Sequence, residues 1–212
     1  MNDIKINDFL NKREQDWPQW NIPNLPFSNL NKDLIYPTWF KGNWLLRVEN
    51  LNDISDPQIE YKVNFFENES GEIIGNRKNN SESIGKKILG EKLIMVKIDP
   101  QSFNNQIIYL SDDEYIESRI IGRNQFKNNQ LFFADEFLIQ NFHKKGVSRI
   151  NQVEVMSKFY QCDNQTDKIE YYDKTSICGI QYVASYGSRV GDNNVRAIQT
   201  NKYKLNLQFI DN

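Results

Sequence analysis

From Trp44 to Phe209 the dominant period of the sequence is two, and this limits the chain more than any other feature. It is clearest in YKLNLQF, where Tyr203, Leu205, Leu207 and Phe209 fall on one face and Lys204, Asn206 and Gln208 on the other. That spacing predicts a half-buried strand, because successive side chains of an extended backbone point to opposite sides. WLLRVENL and IEYKVNFFE read the same way, and NESG joins the second to EIIGNR as a hairpin with Gly71 at the turn. LIMVKID, QIIYLS, EYIESRIIGR, INQVEVMSKFYQ and ICGIQYVASY add further strands. LFFADEFLIQNF also suits helical spacing through Phe133 and Phe137, but its neighbours argue for a strand. After Tyr36 the single helical segment is SESIGKKILG, with Ser81 as N-cap and Gly90 as stop.

The expected fold is therefore all-β: a single antiparallel barrel of about 8–10 strands. A barrel removes the exposed edges that so long a sheet would otherwise have to protect. Residues 36–212 form this barrel domain. Residues 1–35 read as an arm, a short helix over INDFLNKREQDW and then a strap in which Pro18, Pro23 and Pro26 prevent regular structure. Thirteen Phe, ten Tyr and four Trp provide large units of buried area for a core.

Charge excludes some functions. A net charge of −2, from 26 basic and 28 acidic residues interspersed along the chain, leaves no basic stripe to neutralise phosphates, so nucleic acid is not an expected partner. The abundance of Asn reads as biased base composition. No run approaches the roughly 20 apolar residues of a spanning helix, and the first residues lack the apolar stretch of a signal peptide. The chain thus reads as soluble and cytoplasmic, or as lumenal or exported if a leader has been removed. Cys162 and Cys178 read either as two thiols, the favoured reading, or as one disulfide pinning neighbouring strands, which would imply an oxidising compartment.

Gly42-Asn43-Trp44, at the first strand with an arm before it, resembles the Gly-x-Trp signature of lipocalins and the wider calycin group. The resemblance implies a lipocalin-like barrel whose Trp plugs the closed end. Lipocalins lay an Arg from the last strand over that Trp, whereas this chain offers Lys202 and Lys204. The segment from 36 to 210 also resembles an uncharacterised cyanobacterial and plastid family, a domain of unknown function with a lipocalin-like barrel. The likeness lies in YPTWFKGNW and in VNFFENESGEIIGNRKNN, whose Asp-Arg-x-x-Asn segment has Asn76 for the acid and matching Arg77 and Asn80. It continues in IIGR at 120–123, ADEFLIQ at 134–140 and GIQYVASY at 179–186.

Arg47, Arg77, Arg119 and Arg123 lie beside apolar residues within strand-like segments. Pointing inward, they would present guanidinium forks to a ligand headgroup; pointing outward, or paired with Glu49, Glu117 and Glu136, they are structural, which is the favoured reading. Arg77 with Glu136 as a buried ion pair is the specific case to test. The candidate ligand-binding residues are Arg77, Asn80, Arg123, Glu136 and Gln181. No catalytic or metal residues are assigned: His143 stands alone, SDDE at 111–114 reads as a turn, and no Gly-rich phosphate loop is present. The expected function is non-catalytic binding of a small, largely apolar ligand, with lipid, pigment or tetrapyrrole suggested by the family likeness alone. The alternatives are an assembly factor with a filled barrel that meets a protein partner through its arm, and a calycin-type lyase or isomerase.

Overall fold

The computed structural model describes residues 3–23, 30–162, 176–187 and 195–210. Helix α1 (Asp3–Gln15) is followed by β1 (Gly42–Asn50), β2 (Ile59–Glu67) and β3 (Ile73–Gly75). Helix α2 (Arg77–Leu89) then leads into β4 (Leu93–Asp99), β5 (Ser102–Leu110), β6 (Tyr115–Lys127) and β7 (Leu131–Lys144). The chain finishes with β8 (Val147–Gln161), β9 (Ser176–Tyr186) and β10 (Ala197–Phe209). The strands form one ten-stranded antiparallel sheet in the order β3-β2-β1-β10-β9-β8-β7-β6-β5-β4. The all-β, barrel-like class expected from the alternation is the observed one.

The final strand pairs with the first, Trp44 opposite Phe209 and Leu46 opposite Leu207. The ends of the ladder are β3 and β4, and α2 packs against both β2 and β4, so a helix spans the seam instead of a further backbone pairing. The curl is evident from Tyr36, whose ring lies 4.7 Å from Phe65 of β2 and 4.7 Å from Phe132 of β7, strands five positions apart in the sheet. Only a concave face can bring them to one ring. Trp44, Phe40, Val63, Ile177 and Leu207 belong to the same inner cluster.

The arm covers both sides of the sheet. Ile6 and Leu10 of α1, with Trp20, pack on the outer face over Phe133, Phe137, Met156 and Tyr182. Residues 30–40 instead enter the inner face, where Leu34 and Phe40 are buried. This double covering explains β7: Phe132 and Phe133 point to opposite faces, and both are 0% exposed. Pro26 of the expected strap lies outside the described residues.

Two local expectations are corrected. Helix α2 begins four residues before Ser81, because the Asn76 side chain accepts from Asn79 N (3.2 Å) and serves as N-cap. Ser81 lies within the helix and bonds Gln106 (3.1 Å). Gly90 does end the helix. The cysteines, favoured as thiols, form a disulfide: Cys162 and Cys178 are sixteen residues apart and lie at the adjoining ends of β8 and β9. A loop of that length gains about 3 kcal/mol from the cross-link.

The Gly-x-Trp segment has a physical cause here. Gly42 has φ +130°, and a Cβ on it would come within 2.5 Å of the Phe209 ring. Phe209 stands edge-on to Trp44 at 5.3 Å. The indole Nε1 donates to Phe40 O (2.7 Å). Lys204 faces Glu49 (3.8 Å), and Lys202 lies over Tyr182. Gly42→Ala should therefore cost about 2 kcal/mol through backbone strain and displacement of Phe209. Urea denaturation monitored by Trp fluorescence would check this, and an unchanged midpoint would contradict it.

Candidate functional site

Strand β7 carries consecutive acids, Asp135 and Glu136, and period two sends them to opposite faces. Each forms the centre of a charged cluster.

Glu136 points inward. Arg123, its direct neighbour on β6, donates to Glu136 Oε1 from Nε (2.8 Å), and Arg77 at the start of α2 donates to the same oxygen from Nη2 (3.2 Å). Arg77 Nε also donates to Asp33 Oδ1 (2.8 Å). Two guanidinium groups thus face two carboxylates. Arg123 is 1% exposed and also donates to Asn104 Oδ1 (3.0 Å) and to the Lys32 carbonyl. Asn104 in turn donates to Leu30 O (2.6 Å), while Gln125 accepts from Ile35 N (3.0 Å). These bonds fasten the inserted segment 30–36 by its main chain. Burial works against the Arg77 charge, but Glu136 and Asp33 outweigh it and hold its pKa above the ordinary value. Burial and then the Glu136 charge push the Tyr36 hydroxyl up.

Above this cluster the inner face is half-buried. Strand register places Leu46, Tyr61, Leu138, Val155, Val183 and Tyr203 on the side of the sheet that carries Glu136, and each is half-buried. Burial pushes the Tyr61 hydroxyl up to about 12. These side chains share the concave face with the aromatic cluster around Tyr36 and Phe40, which forms its base. At the edge of that base, the Arg77 and Glu136 side chains keep 23% and 17% exposure.

The candidate residues therefore separate. Arg77, Arg123 and Glu136 meet, with the expected Arg77–Glu136 ion pair present. Gln181 is on the same face and donates to Ser157 Oγ (3.0 Å). Asn80 lies elsewhere and bolts α2 to β2, accepting from Asn64 N (2.8 Å) and donating to Asn64 O (3.1 Å). Arg47 bonds Glu60 (2.7 Å), and Arg119, on the outer face, is exposed. His143 bonds Glu117 (2.9 Å) at the end of β7.

The sequence reading missed the second cluster. Asp135 points outward beneath α1 and is 0% exposed, beside Glu154, also 0% exposed. Arg13 of α1 clasps Glu154 from Nε (2.9 Å) and Nη2 (2.6 Å to Oε1), and Tyr186 donates to the same carboxylate. Two acids thus share one cation. Burial first, and then the Glu154 charge, raise the Asp135 pKa well above the carboxyl range. Burial also raises Glu154, against the pull of Arg13 and Tyr186. The protonated form of Asp135 is thus favoured, and neither of its buried oxygens has a hydrogen-bond partner among the described residues. The signal was legible: FFA-DE-F is an apolar run interrupted by adjacent acids, and a strand buried on both faces buries both.

Among the described residues, no group of His, Cys, Asp or Glu is arranged to hold a metal ion, and no helix is long and apolar enough to cross a membrane.

The folded state holds the Asp135 proton that the unfolded chain releases near pH 4, so this residue's contribution to stability is present below that pH and declines as pH rises toward the native pKa. Asp135→Asn is neutral at every pH and removes that dependence. Its melting temperature relative to that of the parent should shift in the variant's favour by a margin that grows as pH rises above about 4. Parallel thermal melts across that range would reveal it, and a constant difference would refute it.

No match is found among curated proteins or among solved structures. Residues 47–210, which include β2 to β10, both acids of β7 and the concave-face side chains from Tyr61 onward, match the family model described as Domain of unknown function (DUF6816), and the chain belongs to that family.

Proposed function

We propose that this protein is a non-catalytic binding protein that holds a small, largely apolar molecule in the cup of its half-barrel. One observation carries the reading: six apolar or aromatic side chains, Leu46, Tyr61, Leu138, Val155, Val183 and Tyr203, share the inner face and remain half-buried. Concave, mainly apolar walls with a few fixed polar groups are the usual form of a small-molecule site.

Arg77, Glu136 and Gln181 supply the polar groups, Arg123 orients Glu136, and Asn80 fixes α2. Because the charges of Arg77 and Arg123 are matched by Asp33 and Glu136, the polar end suits a hydroxyl, carbonyl or amide better than a free ion. A lipid, pigment or tetrapyrrole-like cargo and a kinship with lipocalins both accord with this geometry. The disulfide accords with a lumenal or exported setting. An assembly role through the arm has less support, since Trp20 is 1% exposed and Trp17 packs against it at 4.7 Å.

The test is native mass spectrometry of the purified protein, searching for a retained small molecule, together with titration by Nile red. A saturable, blue-shifted signal is expected. Val183→Trp, which fills the cup, should weaken it at least about tenfold, or about 1.4 kcal/mol, with the far-UV spectrum unchanged. Absence of both a retained molecule and saturable binding would overturn the proposal, as would unchanged binding by the filled variant.

A further inference from the structure

The tip of the β7–β8 hairpin stands apart in composition. From Lys144 to Ile150 the sequence is KKGVSRI, seven consecutive exposed residues with three cations and no acid, in a chain of net charge −2. Lys145 (φ +39°) and Gly146 (φ +83°) make the reversal. Lys144 bonds Glu114 (2.7 Å), but neither Lys145 nor Arg149 has an acidic partner among the described residues. Val147, between these cations, is 68% exposed, and Ile150, next after Arg149, is 43% exposed. Phe142, Lys144, Lys145, Val147, Arg149 and Asn151 line a groove of about 640 Å³ at the tip.

We propose that this tip is a membrane-contact element that seats on an anionic lipid surface. Lys145 and Arg149 meet the headgroups, and Val147 and Ile150 enter the boundary between headgroups and acyl chains. Unpaired cations alternating with exposed aliphatic side chains match both layers of such a surface at once. An acidic protein partner fits less well. A stable protein interface buries roughly 800 Å² on each side, an area that a two-stranded tip does not present. A fluid interface needs only a protruding element that can dip into it. The contact is also separate from the cup, whose wall lies on the inner face nearer the middle of the strands.

Flotation of the full chain with vesicles tests this, using phosphatidylcholine alone against phosphatidylcholine containing phosphatidylglycerol. Binding is expected to the anionic vesicles only and to weaken with added salt. Each lost cation should lower binding about fivefold, so Lys145→Ser with Arg149→Ser should lower it about 25-fold. Val147→Asp should abolish it. All three positions are exposed, and unchanged thermal melts would confirm that the variants are folded. Val183→Trp separates the two sites: lipid taken into the cup would be lost in that variant, whereas binding through the tip would survive. Equal binding to neutral vesicles, no vesicle binding, or full binding by the double variant would each overturn the proposal. So would capture by soluble polyglutamate with no flotation, which would assign the tip to an acidic protein.

Discussion

The structure depends on a buried guanidinium that holds main chain as well as side chain. Arg123 joins Glu136 to the Lys32 carbonyl and to Asn104, which grips Leu30 O, while the neighbouring Gln125 side chain takes Ile35 N. A curled sheet with an apolar inner face needs something to fill its base. Here the filling is irregular chain, whose buried peptide groups must find partners. Strands β5 and β6 supply them. With 30–36 fixed, Tyr36 and Phe40 are brought onto Phe65 and Phe132, and Trp44 gains its acceptor at Phe40 O. The aromatic base and the Gly-x-Trp geometry both follow from that fastening.

The two acids of β7 divide the molecule electrically. On the inner side two arginines face two carboxylates. On the outer side one arginine faces two carboxyl groups, and burial together with the Glu154 charge favours the protonated form of Asp135. The difference has a topological origin. The inner cluster collects cations from β6 and α2, whereas the outer cluster receives only the single Arg13 of α1. The long-range pair Arg13–Glu154 ties the first helix to the eighth strand, and losing either partner would leave a buried charge alone, a cost of about 3–5 kcal/mol.

Much of this was legible in the alternation. Half-buried strands such as YKLNLQF announce their faces, and their partners follow from the antiparallel order. The pair of Arg77 with Glu136 was a case to test because Glu136 stands in a run of apolar residues. Other features were hidden by distance along the chain. Asp33 belongs to a segment that sequence assigns to a covering arm, and nothing local shows that it enters the barrel interior. The placement of α1 on the opposite face is likewise set by packing. The start of α2 was missed because Asn is a weak helix former inside a helix and a strong one at its cap. Asp135 was overlooked because an acid next to Glu136 looks like a solvated pair until both faces of β7 are known to be covered.

Arg77 and Arg123 resemble one another in sequence, yet stability accounts for only one of them. Arg123 satisfies a buried backbone carbonyl, and an aliphatic replacement would strand that oxygen and Glu136 together. Arg77 satisfies only carboxylates, Asp33 and Glu136, and it does so at the edge of the cup with 23% of its side chain exposed. Ion pairs of that kind can often be exchanged for packed apolar residues without loss, and sometimes with gain. The helix needs no charge there, since Asn76 caps it and Asn80 bolts it to β2. Folding does not demand a polar group at that edge. On the proposed reading, Arg77 and Glu136 rather than the more deeply buried Arg123 would meet the ligand, while the half-buried apolar side chains carry the proposal itself.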